Sequence, residues 1–347
     1  MTEVARSWDD VAALAARWDA TPWRSERAER PYFTAEGGSP LALFADDAAL
    51  VGRVAALPLE ARLGYLRVHA PTLRTLRAVG VVGDAAELAR EALREVDVVA
   101  VPALPVDSVE YRSLAPLGGE RFQRPWTRRL LVLPESFEAF LASRSRKIRA
   151  GVRYDAKRLE STTDARVDVV RAWSEQLAED LESVASTTYQ RRLGAGFSPD
   201  RARTLAVALE HGWARVYVLR DGDLPVAFWL CGVHGGTILL QTTGYLPAYA
   251  DRRPGIYLLM RVIEDAIADP RLRVLDLGAG RSDYKRHFSS EGYEERNLLL
   301  FAPTPRAQRA RLARNAVAGT RLAARTALDA TGGTQRLKTA WRRRLRG

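Results

Sequence analysis

The stretch from Arg215 to Tyr245 constrains the fold most tightly. Three runs rich in β-formers, residues 215–220, 226–233 and 237–245, are separated by Asp221-Gly222 and Gly235-Gly236. Asp-Gly and Gly-Gly supply the positive φ angles of tight hairpins, so the runs are expected as an antiparallel meander. Pro254 then opens an apolar helix through Leu258, Leu259, Val262, Ile263 and Ile267, and a strand follows at 274–277. A short helical stretch at 284–288 and a last strand at 297–301 complete this part. Strands in series mixed with helices imply an α/β (α+β) fold with a mixed, mostly antiparallel sheet flanked by helices.

Upstream, residues 145–160 predict a helix with Ile148, Val152, Ala156 and Leu159 on one face. Arg146, Arg149, Arg153 and Lys157 form a basic row beside it. Another helix buries Val170, Trp173, Leu177, Leu181 and Val184, and Ser198-Pro199 starts a third. Near the beginning, Ser7 and Asp10 form a capping box for a helix carrying Trp8, Val11 and Trp18. Paired strands are expected at 41–45 and 50–57, then a helix opened by Asp84 and Glu87, then a strand at 98–104. The expected organisation is an N-terminal lobe over 1–130, a second lobe over 131–302 and a tail over 303–347.

The chain of 347 residues carries a formal charge of +11, but the charge is not spread evenly. Beyond Ala302 twelve arginines and lysines face one acid, Asp329, so the rest of the chain is balanced. A neutral body points away from DNA, and the charge speaks for the tail alone. Arg311, Arg314, Arg321 and Arg325 fall near one helical face, with Leu312, Ala316, Ala323 and Ala327 on another. Trp341 precedes Arg342-Arg343-Arg344. Such a tail suits an anionic membrane surface, and RNA or an acidic partner also match it. A non-enzymatic polyanion-binding protein is one reading of this feature.

One cysteine cannot close an intrachain disulfide, and four scattered histidines offer no zinc cluster, so no metal is expected. The first eighteen residues lack an apolar signal core, and residues 224–250 are broken by Pro225, Pro247 and several glycines. A cytoplasmic protein is expected, peripheral to the inner membrane face if the tail engages it. Cys231, between Leu230 and Gly232, reads as a buried inert thiol. There is no GxSxG elbow, no GxxxxGK loop and no HxxxxD pair, which removes serine hydrolases, P-loop NTPases and glycerolipid acyltransferases.

The second lobe's helix is entered through Arg252-Arg253-Pro254-Gly255-Ile256-Tyr257. A helix start presents unpaired N–H groups and a positive dipole end, which suits a diphosphate. Here the chain resembles the GNAT acyltransferases, whose acyl-CoA diphosphate sits under the pattern Q/R-x-x-G-x-G/A. Arg252 and Gly255 match, while Tyr257 stands where the pattern has a small residue. A second resemblance rests on Leu275-Asp276-Leu277-Gly278-Ala279-Gly280, then Tyr284-Lys285 and Phe288. These look like the D-x-G-x-G…YK…F signature of the cellulose- and exopolysaccharide-linked (CelD/BcsL) acetyltransferases, which are related to the FemABX peptidyltransferases. The basic helix 145–160 and Thr187-Thr188-Tyr189-Gln190-Arg191 resemble that subgroup too.

The resemblance implies two GNAT-like lobes, an acetyl-CoA or other acyl-CoA donor, and an amine or hydroxyl acceptor on a sugar or envelope precursor. It implies donor contacts at Gln241, Thr242, Thr243, Tyr245, Arg252, Arg253, Gly255, Ile256 and Tyr257. Acceptor contacts fall to Arg149, Arg153, Tyr189 and Arg192. Acyl transfer needs a base, an acid for the leaving group and a cation against developing charge. Asp276 is the candidate base or orienting carboxylate, Tyr284 the acid and Lys285 the cation. Two alternatives share these residues: an aminoacyl-tRNA-dependent transferase of FemABX type, and an S-adenosylmethionine methyltransferase with motif I at 274–280. In the methyltransferase fold most of the sheet follows motif I, whereas here 67 residues remain, 45 of them in the tail.

Overall fold

The computed structural model describes residues 2–63, 65–76, 80–119, 125–188, 191, 196–280 and 282–330. It resolves into two compact units of interleaved segments. One takes Met1–Leu14, Gly38–Pro125 and Glu295–Gly347, the other Ala15–Gly37 and Trp126–Glu294. The expected organisation ran consecutively, with boundaries at 130 and 302.

In the first unit the strand order is Glu3–Ala5, Ser39–Phe44, Ala49–Val54, Thr72–Thr75, Val98–Pro105 and then the strand Glu291–Phe301. Neighbours run antiparallel except Thr72–Thr75 and Val98–Pro105, which are parallel. A parallel pair needs a crossover, and the helix Ala86–Glu95 provides it. Its Leu88, Ala89 and Ala92 pack on Leu43, Leu50 and Val99. The capping box is present at Ser7 and Asp10, but the expected helix 8–18 breaks at Leu14 into Trp8–Ala13 and Ala15–Ala20. Trp18 is then fully buried in the second unit, its indole N–H donating to the Ala28 carbonyl at 2.7 Å.

The tail is only partly an appendage. Pro305–Ala330 is one helix, and its Ala307, Ala310 and Ala313 are buried, the last two in a cluster with Ala61, Val68 and Ala70 of the hairpin Leu59–Leu63 and Leu66–Ala70. Arg306 is ion-paired with the buried Asp97, which also accepts from Thr304 Oγ1 at 2.8 Å. The docking face is thus the alanine stripe. It differs from the apolar face expected from the sequence, where Leu312 is 64% exposed and Ala316 is exposed. Small side chains let the helix approach the hairpin closely, a contact that a spacing of apolar residues alone does not reveal. Trp341 and Arg342 to Arg344 lie outside the described residues.

The second unit contains β1 (Trp126–Val132), α1 (Phe137–Ala142), α2 (Arg146–Glu160), β2 (Ala165–Val170), α3 (Glu175–Ala185), α4 (Ala202–Glu210), β3 (Ala214–Asp221), β4 (Leu224–His234), β5 (Thr237–Tyr245), α5 (Pro254–Ala268), β6 (Val274–Ala279) and α6 (Asp283–Phe288). Sheet order is β1-β6-β5-β4-β3-β2. The meander β3-β4-β5 forms as expected, its turns made by Gly222, Gly235 and Gly236 at positive φ. Serines cap three of the helices: Ser136, Ser145 and Ser174 accept from backbone N–H groups of the first turn.

Alternation along the strands puts helices on both faces. On one face Leu258, Leu259, Val262 and Ile263 of α5 pack on Tyr217, Ala227, Ile238 and Leu275. On the other, Leu177, Leu181 and Val184 of α3 and Leu205 of α4 meet Val216, Val218 and Phe228. Arg215, 3% exposed, ties β3 to α5 through Asp265 at 2.5 Å and Asp269 at 2.7 Å. Cys231 is fully buried, and burial pushes its thiol up, which keeps it protonated and inert.

Candidate acyl-transfer site

β5 and β6 pair in parallel only at Thr237↔Val274, Ile238↔Leu275 and Leu239↔Asp276. Beyond those pairs β5 runs on to Tyr245, while β6 stays paired with β1 alone, Gly278 with Arg129 and Ala279 with Arg128 after a register shift at Leu277. The strands part, and among the described residues no further ladder pair joins them. A wedge in a sheet leaves backbone N–H and C=O groups of one strand edge available to a ligand.

A cavity of about 280 Å³ lies at this wedge, at the start of α5. It is lined by Trp229, Thr243, Tyr245, Arg253, Gly255 and Tyr284, with Ala250, Pro254, Ile256 and Leu259 completing the wall. Of the sequence-predicted residues, it brings together Thr243, Tyr245, Arg253, Gly255, Ile256 and Tyr284. The Trp229 indole N–H donates to the Gly255 carbonyl at 3.2 Å and braces the helix start. A side chain at Gly255 would project toward Tyr245, its Cβ 3.8 Å from the ring, so glycine keeps this wall open.

Tyr284 packs against the α5-side core, and burial pushes its hydroxyl up to about 12. It therefore carries its proton throughout the neutral range, as a proton donor must. Lys285 donates from Nζ to the Ala279 carbonyl at 2.7 Å and lies against Gly278, whose φ is +76°. Asp276 is engaged through both oxygens. Oδ2 accepts from Arg128 Nε at 2.6 Å and Oδ1 accepts from the Gly278 N–H at 2.8 Å. Only 7% exposed, Asp276 holds the Gly278 turn and an ion pair, which suits orientation better than proton abstraction.

Other predicted residues are placed elsewhere. Gln241 and Thr242 line a second cavity instead. Tyr257 projects toward α2, its hydroxyl donating to Glu160 Oε1 at 3.0 Å, and burial with that carboxylate raises it to about 12. The large residue that departs from the GNAT pattern is thus an interhelix contact. Arg252 lies over the Tyr249 ring, 4.9 Å from its centroid. Arg149 donates from Nη1 to the carbonyls of Ala142 and Arg144, at and just beyond the end of α1. Arg153 is exposed on α2, and Tyr189 and Arg192 lie outside the described residues. Sequence reasoning missed Trp229, Arg128, Asp155 and Glu160, whose partners described above lie 26 to 148 positions away.

The helix start itself is sparsely supplied with free donors. Arg253 adopts a left-handed conformation, φ 54° and ψ 47°, costing roughly 1–2 kcal/mol for a non-glycine residue. Its carbonyl accepts from the N–H groups of Ile256 at 3.0 Å and Tyr257 at 3.3 Å, and Pro254 has no N–H. Gly255 thus offers the first backbone donor. Arg253 Nη1 donates to Asp155 Oδ2 at 3.0 Å, yet its side chain remains 58% exposed and faces the cavity. The crossover helix of the first unit, Ala86–Glu95, is preceded by Asp84, whose Oδ1 accepts from the Ala86 N–H at 3.2 Å. A carboxylate at that position repels an anion, and the residue before α5 is Arg253, not an acid.

Residues 146–286 match the profile described as an acetyltransferase (GNAT) domain. A search of curated proteins finds no match. Among solved structures the chain resembles FemX, with a TM-score of 0.57 and 11% identity over 86% of this chain and 98% of that one. It also resembles the C-terminal domain of a putative lysylphosphatidylglycerol synthetase from Agrobacterium fabrum, with a TM-score of 0.55 and 15% identity over 87% and 95%. For L-PGS from Bacillus licheniformis the values are 0.54 and 13%, over 88% and 96%. The chain therefore carries a GNAT acetyltransferase-type domain within a mixed α/β fold shared with FemX and with lysylphosphatidylglycerol synthetase C-terminal domains.

Proposed function

We propose that the second unit is an acyltransferase that takes its acyl donor into the wedge between β5 and β6. The observation carrying this reading is the cavity where a parted strand pair, a helix start and a half-buried, protonated Tyr284 meet. The edge of β5 beyond Leu239 offers backbone groups to the donor chain. Thr243 and Tyr245 flank it, and Tyr284 Oη gives its proton to the leaving group. Lys285 and Asp276, with Arg128, hold the β6–α6 turn that positions Tyr284.

Acyl-CoA is the donor we propose first. The apolar wall suits a pantetheine arm, and Gly255 with Arg252 and Arg253 would hold the diphosphate. With one free backbone donor, the diphosphate would depend on arginine side chains more than the Q/R-x-x-G-x-G/A pattern implies. Calorimetric titration should therefore show acetyl-CoA affinity falling at least about tenfold in Arg253→Ala and in Arg253→Gly, since a charged hydrogen bond is worth about 1.5–3 kcal/mol. The glycine variant relieves the left-handed strain and so separates lost charge from lost fold. Unchanged affinity in both would take the diphosphate off Arg253.

The missing N–H of Pro254 and the engaged N–H groups of Ile256 and Tyr257 favour a second reading, an aminoacyl-tRNA donor as in FemABX enzymes. Binding of aminoacyl-tRNA with no binding of acetyl-CoA selects it. For either donor the acceptor we propose is an amine or hydroxyl on a sugar or cell-envelope precursor, met in the cytoplasm. The basic end of the chain would bring the enzyme to the inner membrane face. Full-length protein is expected to float with vesicles containing anionic lipid and not with neutral ones, and a variant with Arg342, Arg343 and Arg344 all changed to Gln to lose most of that binding. A truncation at Ala302 would be uninformative, because it removes Ala307, Ala310 and Ala313 from the first unit's core.

A further inference from the structure

Helix α6 is six residues long, and a helix that short does not hold its shape alone in water. It nevertheless carries both Tyr284 and Lys285. Its own ends add little support. Ser282, just before its first turn, makes no side-chain capping hydrogen bond, and the Asp283–Arg286 ion pair is exposed. Lys285 ties the front of the helix to the Ala279 carbonyl, and the back needs an anchor of its own.

That anchor is Arg144, two residues beyond α1. Its Nη1 donates to the carbonyls of His287 and Ser289, both at 3.0 Å, and its Nε donates to Ser143 Oγ at 3.1 Å. The last carbonyls of a helix lack partners within it and lie at the negative end of its dipole, so a cation there is favoured twice. The guanidinium also sits over the Phe140 ring, 5.1 Å from its centroid. Phe140 in turn lies 6.1 Å from the ring of Phe288, the last residue of α6, and both are buried.

Arg128, Arg215 and Arg220 of the same unit each meet an aspartate. Arg144 forms no ion pair among the described residues, and burial pulls its guanidinium below the ordinary value with no acid opposing the shift. Its charge is therefore spent on neutral groups, two of them at the end of α6. Arg149 holds it from behind, donating to the Arg144 carbonyl at 2.6 Å and to the Ala142 carbonyl at 3.2 Å. The helix that carries Arg149 is itself fixed to the core by Ile148, Val152 and Leu159.

We propose that Arg144 is a positioning residue for acyl transfer: it fixes the end of α6 so that Tyr284 and Lys285 keep their place at the wedge, and Arg149 acts through it. The proposal rests on the acyltransferase reading, in which Tyr284 protonates the leaving group. Without Arg144 the short helix would fray from Phe288 backwards, and the Tyr284 ring, one turn earlier, would gain water.

Two measurements on the full-length protein test this in Arg144→Gln, in Arg149→Gln and in Arg146→Gln, a control that removes an exposed charge nearby. By hydrogen exchange and mass spectrometry, amides 283–290 should exchange at least about tenfold faster in Arg144→Gln, with those of α5 unchanged, as for loss of a charged hydrogen bond at one helix end. Arg149→Gln should move the same amides by less, and it carries the test if Arg144→Gln does not fold. Arg146→Gln should change nothing. The second measurement follows ionisation of Tyr284 by fluorine NMR of protein labelled with 3-fluorotyrosine, the signal being the one missing from Tyr284→Phe. Its midpoint should fall by about one pH unit or more as the ring gains water, whereas a merely structural contact would leave it in place. Unchanged exchange at 283–290 in both variants, faster exchange spread evenly over α5 and α6, a matching effect in Arg146→Gln, or an unmoved Tyr284 midpoint would each overturn the proposal. Neither measurement reads turnover, so failure of Tyr284 as the acid, seen as undiminished kcat in Tyr284→Phe, is told apart from failure of the anchor.

Discussion

Tyr284→Phe is expected to lower kcat by about 10²–10³-fold while the donor KM stays within a few-fold, as for loss of a general acid. The ring and its packing are retained, and only the hydroxyl proposed to protonate the leaving group is lost. The proton is in place because burial raises this hydroxyl to about 12, so its loss should not limit the rate anywhere near neutrality. The same shift has a stability consequence with a defined sign. A tyrosine that ionises near 10 when unfolded and near 12 when folded stabilises the native state fully below pH 10, and that contribution disappears as pH rises through 12. Tyr257, also raised to about 12, acts in the same direction. Thermal unfolding at pH 9, 10 and 11 should therefore show a falling Tm, with a shallower fall in Tyr284→Phe. A variant with undiminished kcat would mean that another group protonates the leaving group.

Asp276→Ala is expected to destabilise the protein by about 3–5 kcal/mol, because it breaks a largely buried ion pair with Arg128, whose side chain is 13% exposed. It also frees the Gly278 N–H that the carboxylate had satisfied. Urea unfolding monitored by circular dichroism measures the loss as a shift in midpoint. Replacing Arg128 and Asp276 together by leucine should recover part of it, since neither half of the ion pair is then left behind. A base would behave differently: Asp276→Asn would lower kcat by several orders of magnitude with an unchanged midpoint. The pairing at 2.6 Å leads us to expect the structural signature, with activity falling only as far as the β6–α6 turn loosens around Tyr284 and Lys285.

Both outcomes bear on how much of the site was legible beforehand. The meander, its turns, the helix entered at Pro254 and the turn after Asp276 are local features, written in hairpin glycines, caps and apolar spacing over a few residues. Their order sufficed for the fold class and for the resemblance to GNAT enzymes. What lay beyond local pattern was which side chains share a space. Arg128 meets Asp276 across 148 positions, Glu26 meets Gln241 across 215, and Tyr257 meets Glu160 across 97. A one-residue bulge, invisible in periodicity, sends Gln241 and Thr242 to one face of the sheet and Thr243 and Tyr245 to the other.

By itself the sequence determined the secondary structure around the site, the neutral body with its basic end, and the absence of a disulfide within the chain. These depend on residue type and near neighbours. Only the tertiary structure decided that residues 15–37 pack in the second unit, that an alanine stripe docks the helix Pro305–Ala330 in the first, and that Asp276 is held by an arginine. Such pairings are set by sheet register and close packing, where a shift of one residue reverses every side chain, and no short stretch of sequence encodes that.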